Sequence, residues 1–307
     1  MNDYYIFSYN HEFTEGLFGQ LFPQLLELLN FLTINKHINH NTKIAFNLNA
    51  EAYDNVVPTH IVPKNIYTIE QLNNPIKINL RHFKLQYSKQ LEFDFNEHSY
   101  LQANNVFNQW FHFSNSIIHK IPNIPSIYTN ILGIHYRGTD KNIDNIQSNN
   151  MDIDNFIKII YDFLVKNTYY QTIILCSDSK NAIDIISNYF HNYKIILYNQ
   201  DRIDENIDHK NLALFQKAKL LDKNTKFNMI ESCIIDMLLL TKAHTIIKTS
   251  SALSCFSKII NPNIKIFTTS AMKQPFFPCG VVEKYKTNDL FINKILDNTM
   301  KGHLYNI

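Results

Sequence analysis

Cysteine, glycine and tryptophan are all scarce in this chain of 307 residues, which has 4 Cys, 6 Gly and 1 Trp. The cysteines, Cys176, Cys233, Cys255 and Cys279, stand far apart with no C-x-x-C pair. That excludes a disulfide framework or a cysteine zinc site and predicts reduced, buried thiols. The glycines form neither G-x-G-x-x-G nor G-x-x-x-x-G-K-[ST], so no dinucleotide fingerprint and no P-loop is present. Net charge is only +2 and no run of Lys or Arg stands out, so an electrostatic footprint for a long nucleic acid is missing. An anionic small molecule needs only a few well-placed cations and stays open. No basic and apolar leader opens the chain, no apolar run reaches the length of a membrane span, and no N-x-S/T sequon occurs. These absences predict a soluble, intracellular, cytoplasmic chain. The abundance of Asn, Ile and Lys suggests an A/T-rich genome, such as a bacterium or a large virus acting in its host's cytoplasm.

What is present is a hydrophobic fraction of 45% against 18% charged residues, enough for two ordinary domains with sizeable cores. In the first half a strand over 4–9, a turn at Glu15 and Gly16, and a helix over 16–35 interrupted by Pro23 make an α/β opening. A strand over 43–48, a short helix or turn over 68–72, and some strand content over 77–95 follow. Apolar residues Leu101, Val106, Trp110, Phe111, Phe113, Ile117 and Ile118 recur at near-helical spacing, predicting one long helix over 99–121. Pro122 and Pro125 end it, and the boundary between an N-terminal domain, 1–125, and a C-terminal domain, 126–307, is placed there.

The second half alternates regularly. Strands are expected over 128–136, 172–176, 194–198, 245–248 and 264–268, and helices over 152–166, 180–189, 212–221, 227–243 and 251–260. Repeated βα units with apolar strands imply a parallel sheet covered on both faces. Ligands in such folds bind beyond the carboxyl ends of the strands. Three strand ends here carry polar clusters: His135, Arg137 and Asp140; Ser177, Asp178 and Ser179; and Thr249, Ser250 and Ser251. Arg137, directly beyond a buried strand and before Gly138, suits a guanidinium held for a phosphate, against the alternative of a surface pair with Asp140. His135 is as well explained by a structural role as by a functional one. The two serine clusters read as helix N-caps, and a helix start with exposed N–H groups also makes an anion site. Asp236 sits in the apolar run Ile234-Ile235-Asp236-Met237-Leu238 and needs a partner, either a donor-rich ligand edge or a basic residue of its own domain. Asp152-Ile153-Asp154 spells D-x-D but opens a helix and reads as capping charge, so no metal site is expected.

These pieces together resemble the fucosyltransferase superfamily, with its α1,6-, α1,2- and protein-O-fucosyltransferases. The shared strand-end pattern H-x-R-x-x-D stands here as His135-Tyr136-Arg137-Gly138-Thr139-Asp140-Lys141, with Gly138 where the α1,6 enzymes have a second arginine. A T-x-S-S-like turn is matched at Thr249-Ser250-Ser251, an acidic residue about one helix earlier at Asp236, and a shifted glycine-rich turn at Gly16, Gly19 and Gln20. The resemblance implies a GT-B architecture, two Rossmann-like domains facing a central cleft, with the acceptor on the first and a nucleotide sugar, typically GDP-fucose, on the second. By position it implies that Arg137 and the turn from Thr249 to Ser251 hold the diphosphate, with the guanine near Asp236 and His135. No cofactor or metal is implied, only GDP-fucose as donor and a glycan or glycoprotein as acceptor.

The implied activity is an inverting, metal-independent glycosyl transfer. Departure of the diphosphate builds charge that Arg137 and the helix start at Ser251 would stabilise, and a carboxylate, Glu15, Asp140 or Asp144, would take the acceptor proton. The alternatives are the same scaffold with another nucleotide sugar, or an inactive glycan-binding module that keeps the fold.

Overall fold

The computed structural model describes residues 4–8, 28, 43–47, 60–64, 76–79, 97–138, 152–198, 222–249 and 251–269. Strand β1 (Tyr4–Ser8) lies between β2 (Lys43–Asn47) and β4 (Ile76–Asn79), parallel to both, so the first half contains a parallel sheet as its opening pattern predicts. Of the expected helix over 16–35 only Leu28 is described, helical and buried; the segments expected at 68–72 and 212–221 lie outside the described residues.

The long helix expected over 99–121 is a correction. Helix α1 (Glu97–Trp110) stops at Trp110, the next residues form β5 (Phe111–Phe113), and a single turn, α2 (Asn115–Ile118), follows. β5 pairs antiparallel with β3 (Ile61–Pro63), and Ser114 N–H donates to the His60 carbonyl at 2.9 Å. Phe111 and Phe113 share one face of that ribbon, toward the core, and the exposed His112 takes the other. Aromatic residues favour a strand once a partner strand is at hand, and tertiary pairing overrides the local helical spacing.

The second half follows its expected order. Strands β6 (Ile131–Tyr136), β7 (Thr172–Ser177), β8 (Lys194–Ile196), β9 (Thr245–Lys248) and β10 (Lys265–Thr268) make a parallel sheet ordered β10-β9-β6-β7-β8. Between them run α3 (Ile153–Lys166), α4 (Lys180–Tyr189), α5 (Lys223–Leu240) and α6 (Ala252–Ile260). The side-chain period of two divides the strands between two cores. Leu132, Ile134, Ile173, Leu175 and Ile247 meet Phe156, Ile160 and Phe163 of α3 and Ile183 and Ile186 of α4. On the other face Ile131, Ile174, Cys176 and Ile246 meet α5 and α6. Gly133 belongs to that second face: a Cβ there would stand 3.0 Å from side-chain atoms of Leu240, Ala243 and Ile246, so its bareness lets the end of α5 lie directly on the central strand.

Helix α1 packs on this second core. Tyr100, Ala103, Phe107 and Trp110 join the cluster of α5 and α6, and Asn104 Nδ2 donates to the carbonyls of Ile259 and Ile260, both at 2.9 Å. Those carbonyls end α6 and lack partners within the helix, so Asn104 is its C-terminal cap supplied from another element.

Candidate functional site

The strand order locates the crevice. From β6 the chain winds outward through β7 to β8, then returns across the sheet to β9 and continues outward to β10. The connections leaving β6 and β9 therefore diverge, and the gap beyond their carboxyl ends is the topological switch point where doubly wound sheets bind ligands.

Main-chain register brings the predicted clusters to that gap. His135 pairs with Cys176 on one side and Lys248 on the other. Just beyond, Thr249 N–H donates to the His135 carbonyl at 3.0 Å, and Arg137 N–H donates to Thr249 Oγ1 at 2.8 Å. The two strand ends are thus stitched together past the last ladder pair. Arg137 itself is half-buried, as is Gly138. Gly138 N–H donates to Asp178 Oδ1 at 2.9 Å, which ties the end of β6 to that of β7. A Cβ on Gly138 would come within 2.9 Å of the Tyr136 ring, so any side chain here requires that ring to shift.

The serine clusters do local work first. Ser179 Oγ accepts from Ala182 N–H at 3.0 Å and caps α4, while the buried Ser177 Oγ accepts from Ser179 N–H at 3.1 Å. Ser251 Oγ accepts from Leu253 N–H at 3.3 Å and caps α6, whose amino end therefore opens at the β6/β9 gap. A helix start carries roughly half a positive charge in unpaired N–H groups, which suits an anion. Asp152 caps α3 through Asn155 N–H at 2.9 Å, the capping role expected of that D-x-D.

His135 is 4% exposed, and its Nδ1 lies 3.0 Å from Ser254 Oγ on α6. Asp236 is buried within α5, and its carbonyl accepts from Cys176 Sγ at 3.6 Å, next to His135 in the register. His135, Arg137, Ser177, Asp178, Asp236, Thr249 and Ser251 are thereby gathered around one end of the sheet. Glu15, Gly16, Gly19, Gln20, Asp140, Asp144 and Ser250 lie outside the described residues.

Three residues of the same edge escape sequence reading. Ser254 contacts His135; Thr269 N–H and Oγ1 donate to the Lys248 carbonyl at 2.8 and 3.0 Å; and Lys248 is itself fully buried, its Nζ donating to the Ser251 carbonyl at 2.9 Å. The signal that could have found them is a lysine closing an apolar strand, Thr245-Ile246-Ile247-Lys248, directly before the Thr-Ser-Ser turn. Among the described residues no group of three His, Cys, Asp or Glu converges as metal ligands, and no helix is long and apolar enough to cross a membrane.

No known family's sequence profile matches the chain and no curated protein is similar to it in sequence. Three solved structures show a distant likeness. Fucosyltransferase NodZ from Bradyrhizobium shares 12% identity over 89% of this chain and 99% of that chain, with a TM-score of 0.48. Arabidopsis thaliana FUT1, in complex with GDP, shares 8% over 89% and 71%, with a TM-score of 0.47. POFUT1 in complex with GDP-fucose shares 11% over 85% and 94%, with a TM-score of 0.41. These three solved structures are of fucosyltransferases.

Proposed function

We propose that the chain is an inverting, metal-independent glycosyltransferase of GT-B architecture that moves a sugar, fucose in the first instance, from GDP-fucose to a glycan or glycoprotein acceptor. The observation that carries this reading is the β6/β9 gap, where Arg137, Thr249 and the amino end of α6 meet at the switch point of a parallel sheet. That is a place for an anion, and a nucleoside diphosphate is the anion such sheets bind. The domains of this reading are 1–125 for the acceptor and 126–307 for the nucleotide sugar.

In this reading the Arg137 guanidinium and the turn of Thr249, Ser250 and Ser251 hold the diphosphate. As the sugar's anomeric carbon separates from the phosphate oxygen, negative charge grows on that oxygen while the sugar takes on oxocarbenium character. Fixed donors already aimed at the phosphate lower the barrier, each by about 2.7–4 kcal/mol where such donors have been removed in other enzymes. The nucleobase lies toward Asp236 and His135, with Ser177 and Asp178 shaping the β7 side. Glu15, Asp140 or Asp144 takes the proton of the acceptor hydroxyl as it attacks the opposite face of the anomeric carbon, and Gly16, Gly19 and Gln20 are assigned to the acceptor and donor side.

Calorimetric titration of GDP, GDP-fucose, UDP and UDP-glucose into the wild type and Arg137→Ala, with EDTA present, tests it. A charge-assisted contact to phosphate contributes about 1.5–3 kcal/mol, so GDP affinity is expected to fall roughly 10- to 100-fold in the variant. Preference for UDP would keep the transferase and change the sugar. Glycan binding with no nucleotide binding would replace the enzyme by a lectin-like module.

A further inference from the structure

Lysine is among the residues least often fully buried, because withdrawing its charge from water costs several kcal/mol unless polar groups replace the solvent. Lys248 is 0% exposed and stands at the sheet edge beside the β6/β9 gap. Its strand neighbours Ile246 and Ile247 are buried aliphatics, and packing alone would be met by another. Its ammonium turns back along its own chain and donates to the Ser251 carbonyl. The same carbonyl accepts from Ser254 Oγ at 3.4 Å and Cys255 Sγ at 3.5 Å, so it is held inward by three side chains at once. Around it the main chain is fixed as well: the Lys248 carbonyl receives both donors of Thr269, Thr249 is bonded to β6, and Ser254 contacts His135.

We propose that Lys248 is a positioning residue of the nucleotide site: a buried cation, bonded to the Ser251 carbonyl, that fixes Ser251 at the head of α6 and makes this end of the sheet more positive toward a diphosphate. The inference rests on the nucleotide-sugar reading above and deepens it by naming a charge that need not touch the ligand. The Ser251 carbonyl belongs to the cap of α6, so the bond from Lys248 helps to fix where the N–H groups that begin this helix lie. The side chain is buried, so water does not screen its charge as it would that of a surface lysine. A diphosphate arriving at the gap then meets Arg137 from the β6 side and the buried charge from below. An uncharged nucleoside should gain nothing from Lys248.

That contrast is the test. Binding of GDP, guanosine, UDP and uridine is measured on the full chain for the wild type, Lys248→Met and Lys248→Gln, after melting curves establish that each variant folds. Methionine keeps the length and removes both charge and donor, while glutamine keeps a donor and removes the charge. The expected result is a loss of about 10- to 100-fold for the diphosphate in both variants, the scale of a charge acting at an effective dielectric near 20, with nucleoside affinity unchanged. Equal losses for nucleoside and diphosphate would reduce Lys248 to support of the fold, and no loss for either would remove it from the site; both overturn the proposal. Should neither variant fold, the wild type still decides. The advantage of diphosphate over nucleoside should persist in part at high salt, because a buried charge is poorly screened, and its complete disappearance would overturn the proposal. A wild type that binds neither diphosphate at any salt concentration refutes the nucleotide-sugar reading itself, an outcome distinct from all of these.

Discussion

Two buried histidines show how differently one residue type can be used. His135, at the end of β6, has Ser254 Oγ at 3.0 Å from its Nδ1 and sits within the network of the sheet edge. His60, at the start of β3, is 2% exposed, yet its Nδ1 has no hydrogen-bond partner among the described residues. Its ring packs on Phe227 of α5, with centroids 4.9 Å apart, near the ion pair of Lys120 and Glu231 at 2.5 Å. Burial pushes the His60 imidazole below its ordinary pKa of 6.5; Glu231 acts in the opposite direction and Lys120 reinforces the lowering. One histidine is a fixed part of a polar network, and the other is a buried ring whose surroundings disfavour its protonation.

Substitution should separate them by sign. His135→Phe removes a partner from Ser254 and from the edge, and is expected to cost about 1–3 kcal/mol of stability in urea unfolding, with weaker nucleotide binding. Lys120→Met leaves the buried Glu231 carboxylate without its cation. The expectation is a loss of about 1–2 kcal/mol and an upward movement of the His60 titration in NMR, since a group that disfavours its protonation is gone. His60→Phe, by contrast, replaces an unpartnered nitrogen with a ring of similar shape and should leave stability unchanged or raise it by less than about 1 kcal/mol at neutral pH. A large loss there would mean that His60 is bonded as firmly as His135, and the distinction would collapse.

The pH dependence follows with a definite sign. A base whose folded pKa lies below its unfolded one binds fewer protons when native, so stability rises with pH between the two values. The His60 contribution is therefore complete above pH 6.5 and is lost as pH falls from there toward the lowered native value. His60→Phe should flatten that part of the stability curve, as read by melting temperature across the mildly acidic range.

The same pair separates what the amino-acid sequence reveals by itself from what only folding reveals. His135 is conspicuous because it closes a run of buried aliphatics and precedes Arg137, and sheet physics says where such an end must lie. His60 sits beside a short strand with no periodic pattern, and its environment comes from α5, far along the chain. Most second-half elements are legible for the reason His135 is, since each apolar strand and amphipathic helix carries its period locally. The β3/β5 ribbon is hidden because Phe111 and Phe113 also fit a helical spacing, and only a partner strand distinguishes the two. Lys248 looks like any lysine after a strand; its burial depends on β6, β10 and α6 closing around it. Pro122 and Pro125 mark where the helical chain gives out, but no local signal states which core α1 joins.

Asn104 has a mechanical consequence. Helix α6 is nine residues, about 13 Å long, a stiff rod with Ser251 at one tip and the Ile259 and Ile260 carbonyls at the other. The tip at the β6/β9 gap is free to adjust only as far as the gripped tip allows. Asn104 grips the far tip and Lys248 the near one, so the rod is pinned at both ends, by α1 and by β9.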